Sequence, residues 1–319
     1  MNLTQADIQQ AAEIVYQTMP PTPQYCWPML CEKLGTEIWL KHENHTPVGA
    51  FKIRGGLVYF DHLVKAGGAA NGVICATRGN HGQLVGFAAR KYGIPATVVV
   101  PHGNGHDKNA AMNALGINLI EHGEDFQESL EYAQNLAQEQ DLHMIPSFHP
   151  LLVKGVATYS LELFEAVKDL DKVYVSIGLG SGVCGMIAAR NALGLKTEII
   201  GVVSSHANAY AKSFKSQHTI ESPSTTLLAD GMACRTPNPE ALEIIRKGVD
   251  HIVEVTDEEV AEAMRTLFVC TLNVSEGAGA ASLAAAFQQQ EKNPAKKIAA
   301  ILTGGNVDRQ DFVEVLNKD

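Results

Sequence analysis

Short runs of β-branched and apolar residues recur along this chain, each followed by a segment of helical periodicity, and that alternation restricts the fold more than any other feature. Ala96–Val100 (ATVVV) is one such run, closed by Pro101. Glu37–Lys41, Gly72–Ala76, Ile117–Glu121, Lys172–Ile177, Glu198–Val203 and Ile298–Leu302 are the others. Between them, Gly82–Tyr92, Lys108–Leu115, Phe126–Gln140, Lys154–Leu170 and Val183–Leu193 have the spacing of helices. Strands about five residues long, separated by helices of roughly ten to fifteen, predict parallel sheets covered on both faces. The expected class is α/β, with two open, mostly parallel sheet units. The pattern breaks at Pro146-Ser147-Phe148-His149-Pro150, where the two units are expected to meet.

Composition narrows the partners. Of 319 residues, 45% are hydrophobic and 19% charged, enough for a sizeable core and too apolar for disorder. Lys and Arg number 25 against 35 Asp and Glu, a net charge of −10 with no basic run, which argues against nucleic-acid or anionic-membrane binding. No segment approaches the eighteen or so apolar residues of a membrane helix. The N-terminal MNLTQADIQQAAEIVYQTMP lacks the basic start and apolar run of a signal peptide. Cys26, Cys31, Cys75, Cys184, Cys234 and Cys270 contain no C-x-x-C, so buried thiols in a reducing cytoplasm are expected.

In open α/β sheets, ligands gather at the carboxyl ends of strands. Gly178-Leu179-Gly180-Ser181-Gly182 follows one strand and precedes a helix. Its glycines let backbone N–H groups converge on an anion, Ser181 adds a hydroxyl, and the helix start adds partial positive charge. A plain glycine turn is the alternative. Gly180 to Gly185 also matches G-x-G-x-x-G, which raises a nicotinamide-dependent oxidoreductase. The acidic residue that should then end the next strand is missing, because the chain reads Val203-Ser204-Ser205.

A second loop, Thr77-Arg78-Gly79-Asn80-His81-Gly82-Gln83, offers N–H groups, a hydroxyl and an amide suited to a carboxylate or phenolic oxygen; Thr77 or Asn80 as a mere helix cap is the alternative. Lys52, in Pro47-Val48-Gly49-Ala50-Phe51-Lys52-Ile53-Arg54-Gly55-Gly56, stands among apolar and glycine neighbours. Desolvation there would favour its free amine and imine chemistry, whereas a surface lysine would simply point to water. His102 and His106 are separated by two glycines, which suits an irregular loop better than a metal pair. Neither H-E-x-x-H nor G-x-S-x-G occurs.

Four motifs in order, Gly49-Ala50-Phe51-Lys52-Ile53-Arg54-Gly55, Gly79-Asn80-His81-Gly82-Gln83, the 178–182 loop and Thr303-Gly304-Gly305-Asn306, resemble those of the fold-type II pyridoxal-phosphate enzymes, the tryptophan synthase β-like group. Within them the chain is similar to the threonine/serine dehydratase (threonine ammonia-lyase) and serine racemase branch, from about Pro21 to Asn306. The resemblance implies pyridoxal 5′-phosphate as cofactor, with Lys52 as its covalent attachment point and catalytic base. Phe51 then stands behind the pyridine ring, and Asn80 bonds the 3′-oxygen. Gly178, Leu179, Gly180, Ser181 and Gly182 hold the phosphate. Glu276 lies near the ring, and Thr303 faces the pyridine nitrogen. Thr77, Arg78, Gly79, Asn80, His81 and His149 are the expected substrate contacts. Residues 1–66 and 151–319 would form a large cofactor-binding domain and 67–150 a small mobile one that closes on substrate. A homodimer is expected.

The implied reaction is the deaminating dehydration of a β-hydroxy amino acid to a 2-oxo acid and ammonia, with L-threonine and L-serine as leading substrates. A 3-hydroxyaspartate or phenylserine-type substrate, or serine/threonine racemisation, stands as the alternative. Some positions depart from the family. Ala50 replaces a frequent serine. Arg78 stands where the racemase branch has its acid/base serine. His149 and Lys154 replace acidic or amide residues. Val203, Ala207 and Ala209 fall where metal-dependent relatives place ligands, so no metal is expected. The chain ends soon after the Thr303 motif, so a C-terminal regulatory domain is not expected.

Overall fold

The computed structural model describes residues 2–216 and 218–317. Among the described residues, ten strands form two sheets, and the class is α/β as the alternation predicts. The strands are β1 (Gln24–Cys26), β2 (Glu37–His42), β3 (Val73–Ala76), β4 (Ala96–Val100), β5 (Asn118–Glu121), β6 (His143–Met144), β7 (Lys172–Ser176), β8 (Glu198–Ser204), β9 (His251–Val255) and β10 (Lys297–Leu302). The six-stranded sheet runs β1-β2-β10-β7-β8-β9 and the four-stranded sheet β5-β4-β3-β6. Every pairing is parallel except β1 with β2. The smaller sheet is inserted whole between β2 and β7 of the larger one.

The larger sheet is buried on both faces. On one, Val153, Val156 and Tyr159 of the Pro150–Ala166 helix and Met186 of the Ser181–Ala192 helix pack against Val173, Val175 and Ile199. On the other, Met264 and Leu267 of the Asp257–Thr271 helix join an alanine-rich helix, Gly277–Lys292, over Ile38, Tyr174, Ile200 and Val202. Each fully buried Val or Ile contributes roughly 1.5–3 kcal/mol. β3 and β4 hold a separate core of Val73, Cys75, Leu84, Val98 and Met112. All six cysteines are free thiols, and Cys75, Cys184 and Cys234 are buried. Among the described residues, no helix is long and apolar enough to cross a membrane.

Lys52 opens a helix, Lys52–Lys65, that the glycines at 55 and 56 disguise as loop. Gly55 and Gly155 are where this helix crosses the Pro150–Ala166 helix. A Cβ on Gly55 would stand 2.7 Å from the Leu152 carbonyl oxygen, and one on Gly155 would collide with the Arg54 carbonyl. The same crossing holds a buried ionic cluster. Arg54 binds Glu43 and Glu162 in bidentate fashion, and Lys41 binds Glu162 at 2.5 Å.

Candidate active site

Three loops at the carboxyl ends of β3, β7 and β10 converge on a cleft between the sheets. Lys52, Asn80, Ser147, Ser176, Glu276 and Thr303 line it, with Phe51, Ala278, Gly231, Met232 and all five residues of the 178–182 loop. Lys52 is fixed by backbone on both sides of the motif. Ala50 bridges to Gly304, the Phe51 N–H donates to the Thr303 carbonyl at 3.0 Å, and the Thr46 hydroxyl bonds both the N–H and C=O of Ala50 at 2.9 Å. The lysine motif and the Thr303 motif are thus stitched together although 250 residues separate them. The side chain is half-buried and opens on the cleft. Burial around its ammonium pushes the pKa below the usual lysine value, against the pull of the Glu276 carboxylate. A surface role for Lys52 is therefore set aside.

The 178–182 loop has the form of an anion cradle. Gly180 has φ +101° and caps the following helix without a side-chain bond, so the first helical N–H groups keep no side-chain acceptor. A Cβ on Gly178 would collide with the Gly231 carbonyl, and one on Gly182 would lie 3.6 Å from Phe51 Cζ. Leu179 turns into the core, and its carbonyl accepts the Tyr210 hydroxyl at 2.9 Å. Phe51 packs edge-on against Tyr159 at 6.0 Å.

Asn80 donates to Glu276 Oε1 at 2.7 Å and accepts from Asn306 Nδ2 at 2.7 Å, while Asn306 also donates to the Val48 carbonyl at 2.8 Å. Burial raises the Glu276 pKa, opposed by Lys108, by the Asn80 hydrogen bond and by Lys52. The close fit of its carboxylate requires Gly304, where a Cβ would overlap Glu276 Oε1. Thr303 is buried and donates to the Ala278 carbonyl at 3.3 Å, the same acceptor that Ser176 reaches at 2.8 Å.

In the Thr77–Gln83 loop, neither Thr77 nor Asn80 caps the helix. Its N-cap is Gly79, without a side-chain bond, and Thr77 Oγ1 accepts only the Gly79 N–H at 3.0 Å. His81 is buried with Nε2 unpartnered, and burial together with Lys52 brings its pKa down to about 3, so it is neutral. Arg78 is exposed, with no hydrogen bond or ion pair among the described residues. His149 stands apart from the cleft lining: Nδ1 accepts the Leu151 N–H at 3.1 Å as a helix cap, and the ring meets Tyr59 edge-on at 5.1 Å. Lys154 turns to Asp7 at 3.3 Å. From the Pro146–Pro150 segment it is Ser147 that reaches the cleft. His102 and His106 are exposed beside Glu121 and Asp107.

Sequence reasoning did not single out Ser147, Ser176, Gly231 or Lys108. Ser176 had a signal, as the last residue of the strand that leads into the glycine loop. Gly231 had none, because its short helical turn interrupts an irregular stretch.

Residues 15–304 match the family described as pyridoxal-phosphate dependent enzyme. The L-threonine ammonia-lyase of Thermotoga maritima is 32% identical over 99% of this chain and 79% of its own length. The L-threo-3-hydroxyaspartate ammonia-lyase of Saccharomyces cerevisiae is 30% identical over 98% of this chain and 96% of its own. Maize serine racemase superposes with a TM-score of 0.92 at 26% identity, over 98% of this chain and 97% of that one. The chain spans 50% and 58% of the length of two other curated threonine dehydratases it matches.

Proposed function

The chain belongs to the pyridoxal-phosphate dependent enzymes, and from that premise we propose that it deaminates a small β-hydroxy amino acid, L-threonine or L-serine, to a 2-oxo acid and ammonia. This membership removes the nicotinamide alternative that the glycine pattern raised. The observation that carries the reading is a desolvated lysine amine and an anion cradle opening on one cleft. The residues fit the cofactor: Lys52 to bond its carbonyl carbon, residues 178–182 its phosphate, Asn80 its ring oxygen, Thr303 its ring nitrogen, with Phe51 and Glu276 about the ring. When bound, pyridoxal 5′-phosphate supplies a carbonyl for the substrate amine and an electron sink for the Cα–H bond. Thr303 offers that sink a neutral hydroxyl rather than a carboxylate, which suits elimination more than transamination.

Lys52, as a free amine, would take the Cα proton; burial lowers its pKa from the usual lysine value, which favours the lone pair over the ammonium. Overall, the β-hydroxyl would leave with a proton as water, and one water would be consumed in the hydrolysis that gives the 2-oxo acid and ammonia. The helix start at Asn80, whose first N–H groups have no side-chain cap, holds the substrate carboxylate. Arg78 cannot serve as a second base, because a guanidinium stays protonated, so racemisation is not expected. An acidic 3-hydroxyaspartate is the second reading, favoured by the free Arg78 side chain.

Assaying 2-oxo acid release from threonine, serine, 3-hydroxyaspartate and phenylserine tests the proposal. Release from threonine or serine at the highest kcat/KM supports it; preference for 3-hydroxyaspartate transfers it to the second reading, and no release from any sinks both. The remaining proposals are coarser. Tyr25, Met29, Val269, Leu272 and Val274 are exposed along β1, the Pro28–Leu34 helix and the end of the Asp257–Thr271 helix, and we assign that face to a homodimer, checked by sedimentation. The free thiols favour a cytoplasmic location. We keep 67–150 as the mobile domain, with 1–66 and 151–319 as the large one.

A further inference from the structure

We infer that Lys108 is a positioning residue whose ion pair with Asp230 latches the four-stranded unit onto the cleft and ties its closure to the glycine loop. The proposal rests on the reading above only in taking the 77–83 loop as the substrate carboxylate site.

Polar contacts cross the seam between the two units at the edge of the cleft. Asn80 meets Glu276 and Asn306, as described. The Arg309 N–H donates to Asp107 Oδ2 at 2.9 Å. A Cβ on Gly105 would stand 2.5 Å from the Asp308 carboxylate, whose Oδ1 is buried without a partner. Among these contacts the ionic one is Lys108 Nζ to Asp230 Oδ2 at 2.9 Å, with only 14% of the lysine side chain exposed. Burial alone would lower the Lys108 pKa, but Asp230, Glu276 and Asp308 around it raise it, so the ammonium stays charged.

Lys108 touches both halves of the site. On the small unit its stem lies over Gly79, where a Cβ would be 3.2 Å from Lys108 Cδ, immediately before Asn80. On the large unit its partner Asp230 opens the short turn Asp230–Met232. The next residue, Gly231, presses its carbonyl on Gly178, the first residue of the anion cradle. One ion pair therefore spans from the substrate loop, through the turn, to the cradle. Breaking it frees the small unit to move away without removing any group that would touch cofactor or substrate. The expected signature is weaker substrate binding with the chemistry preserved.

The test uses the holoenzyme with Lys108→Met, Asp230→Asn and the double variant. Each single change should raise KM for the best substrate about tenfold and leave kcat within about threefold, and the double should be no worse than the worse single. Amide exchange over residues 77–92, measured without substrate, should speed up about tenfold in each variant. Raising salt should loosen the wild type and leave Lys108→Met unchanged. The exchange arm does not depend on the reaction, so it stands even if no hydroxy amino acid is deaminated. The inference is overturned if exchange and KM stay at wild-type values, if the two single effects multiply in the double variant, or if kcat falls and KM does not.

Discussion

Replacing Arg54 with Met should destabilise this protein severely, and a second substitution should repair much of the damage. The guanidinium is fully buried. It holds Glu43 through Nε at 2.7 Å and Nη2 at 3.0 Å, and Glu162 through Nη1 at 2.6 Å and Nη2 at 2.9 Å. Lys41 is the second cation, so two positive and two negative groups balance where all four side chains are buried. Met fills most of the arginine stem but leaves two carboxylates facing one ammonium. Breaking a buried pair by removing one partner costs about 3–5 kcal/mol, because the remaining charge is uncompensated. That is a large share of the roughly 5–15 kcal/mol of a typical fold. Glu43→Gln in the same chain restores neutrality, leaving Lys41 with Glu162, and should return about half the loss. Urea unfolding followed by far-ultraviolet circular dichroism on wild type, both single variants and the double measures the cycle. A loss below about 1 kcal/mol for Arg54→Met, or a double variant as unstable as the two singles summed, would refute the argument that charge balance governs this cluster. Arg54 lies two residues beyond Lys52 in one helix, so the same variants should also hold less cofactor.

Lys52→Ala should abolish 2-oxo acid formation while retaining the fold, and borohydride reduction of wild type followed by peptide mapping should label Lys52; a label on another lysine defeats the assignment. Activity should survive exhaustive chelation, since Val203, Ala207 and Ala209 bring no side-chain oxygen to the position where related enzymes bind a metal, and magnesium- or calcium-dependent recovery would contradict this. His42 is buried, and burial with His45 nearby moves its pKa from 6.5 to about 4. The unfolded chain then takes up the proton first, so its contribution is complete above pH about 6.5 and is lost as pH falls toward 4, by roughly 3 kcal/mol in all. His42→Gln should flatten the stability profile in that window; an unchanged slope would show that other groups govern it.

What could be read in the chain followed from how locally each feature is encoded. β4 runs Ala96–Val100 with the bounds its sequence predicts, because a β-branched run ended by Pro101 has no competing conformation. β9, the edge strand His251–Val255, is interrupted by His251 and Glu254 and offers no continuous apolar run. β6 is two residues long and exists only through its pairing with β3. The glycines at 55 and 56 suggest a loop until the opposing helix is in place, for their need is a close approach rather than a turn. The site divides in the same way. Lys52, Asn80, Glu276, Thr303 and the 178–182 loop come to one cleft, and each lies in a motif recognisable by type. His149 does not reach it, because its Nδ1 accepts the Leu151 N–H at the helix start and its ring lies against Tyr59. Gly304 gives the general reason. Its part is to leave space for the carboxylate of Glu276, a residue from another helix start, and a requirement for empty space appears only when both segments have been folded against each other.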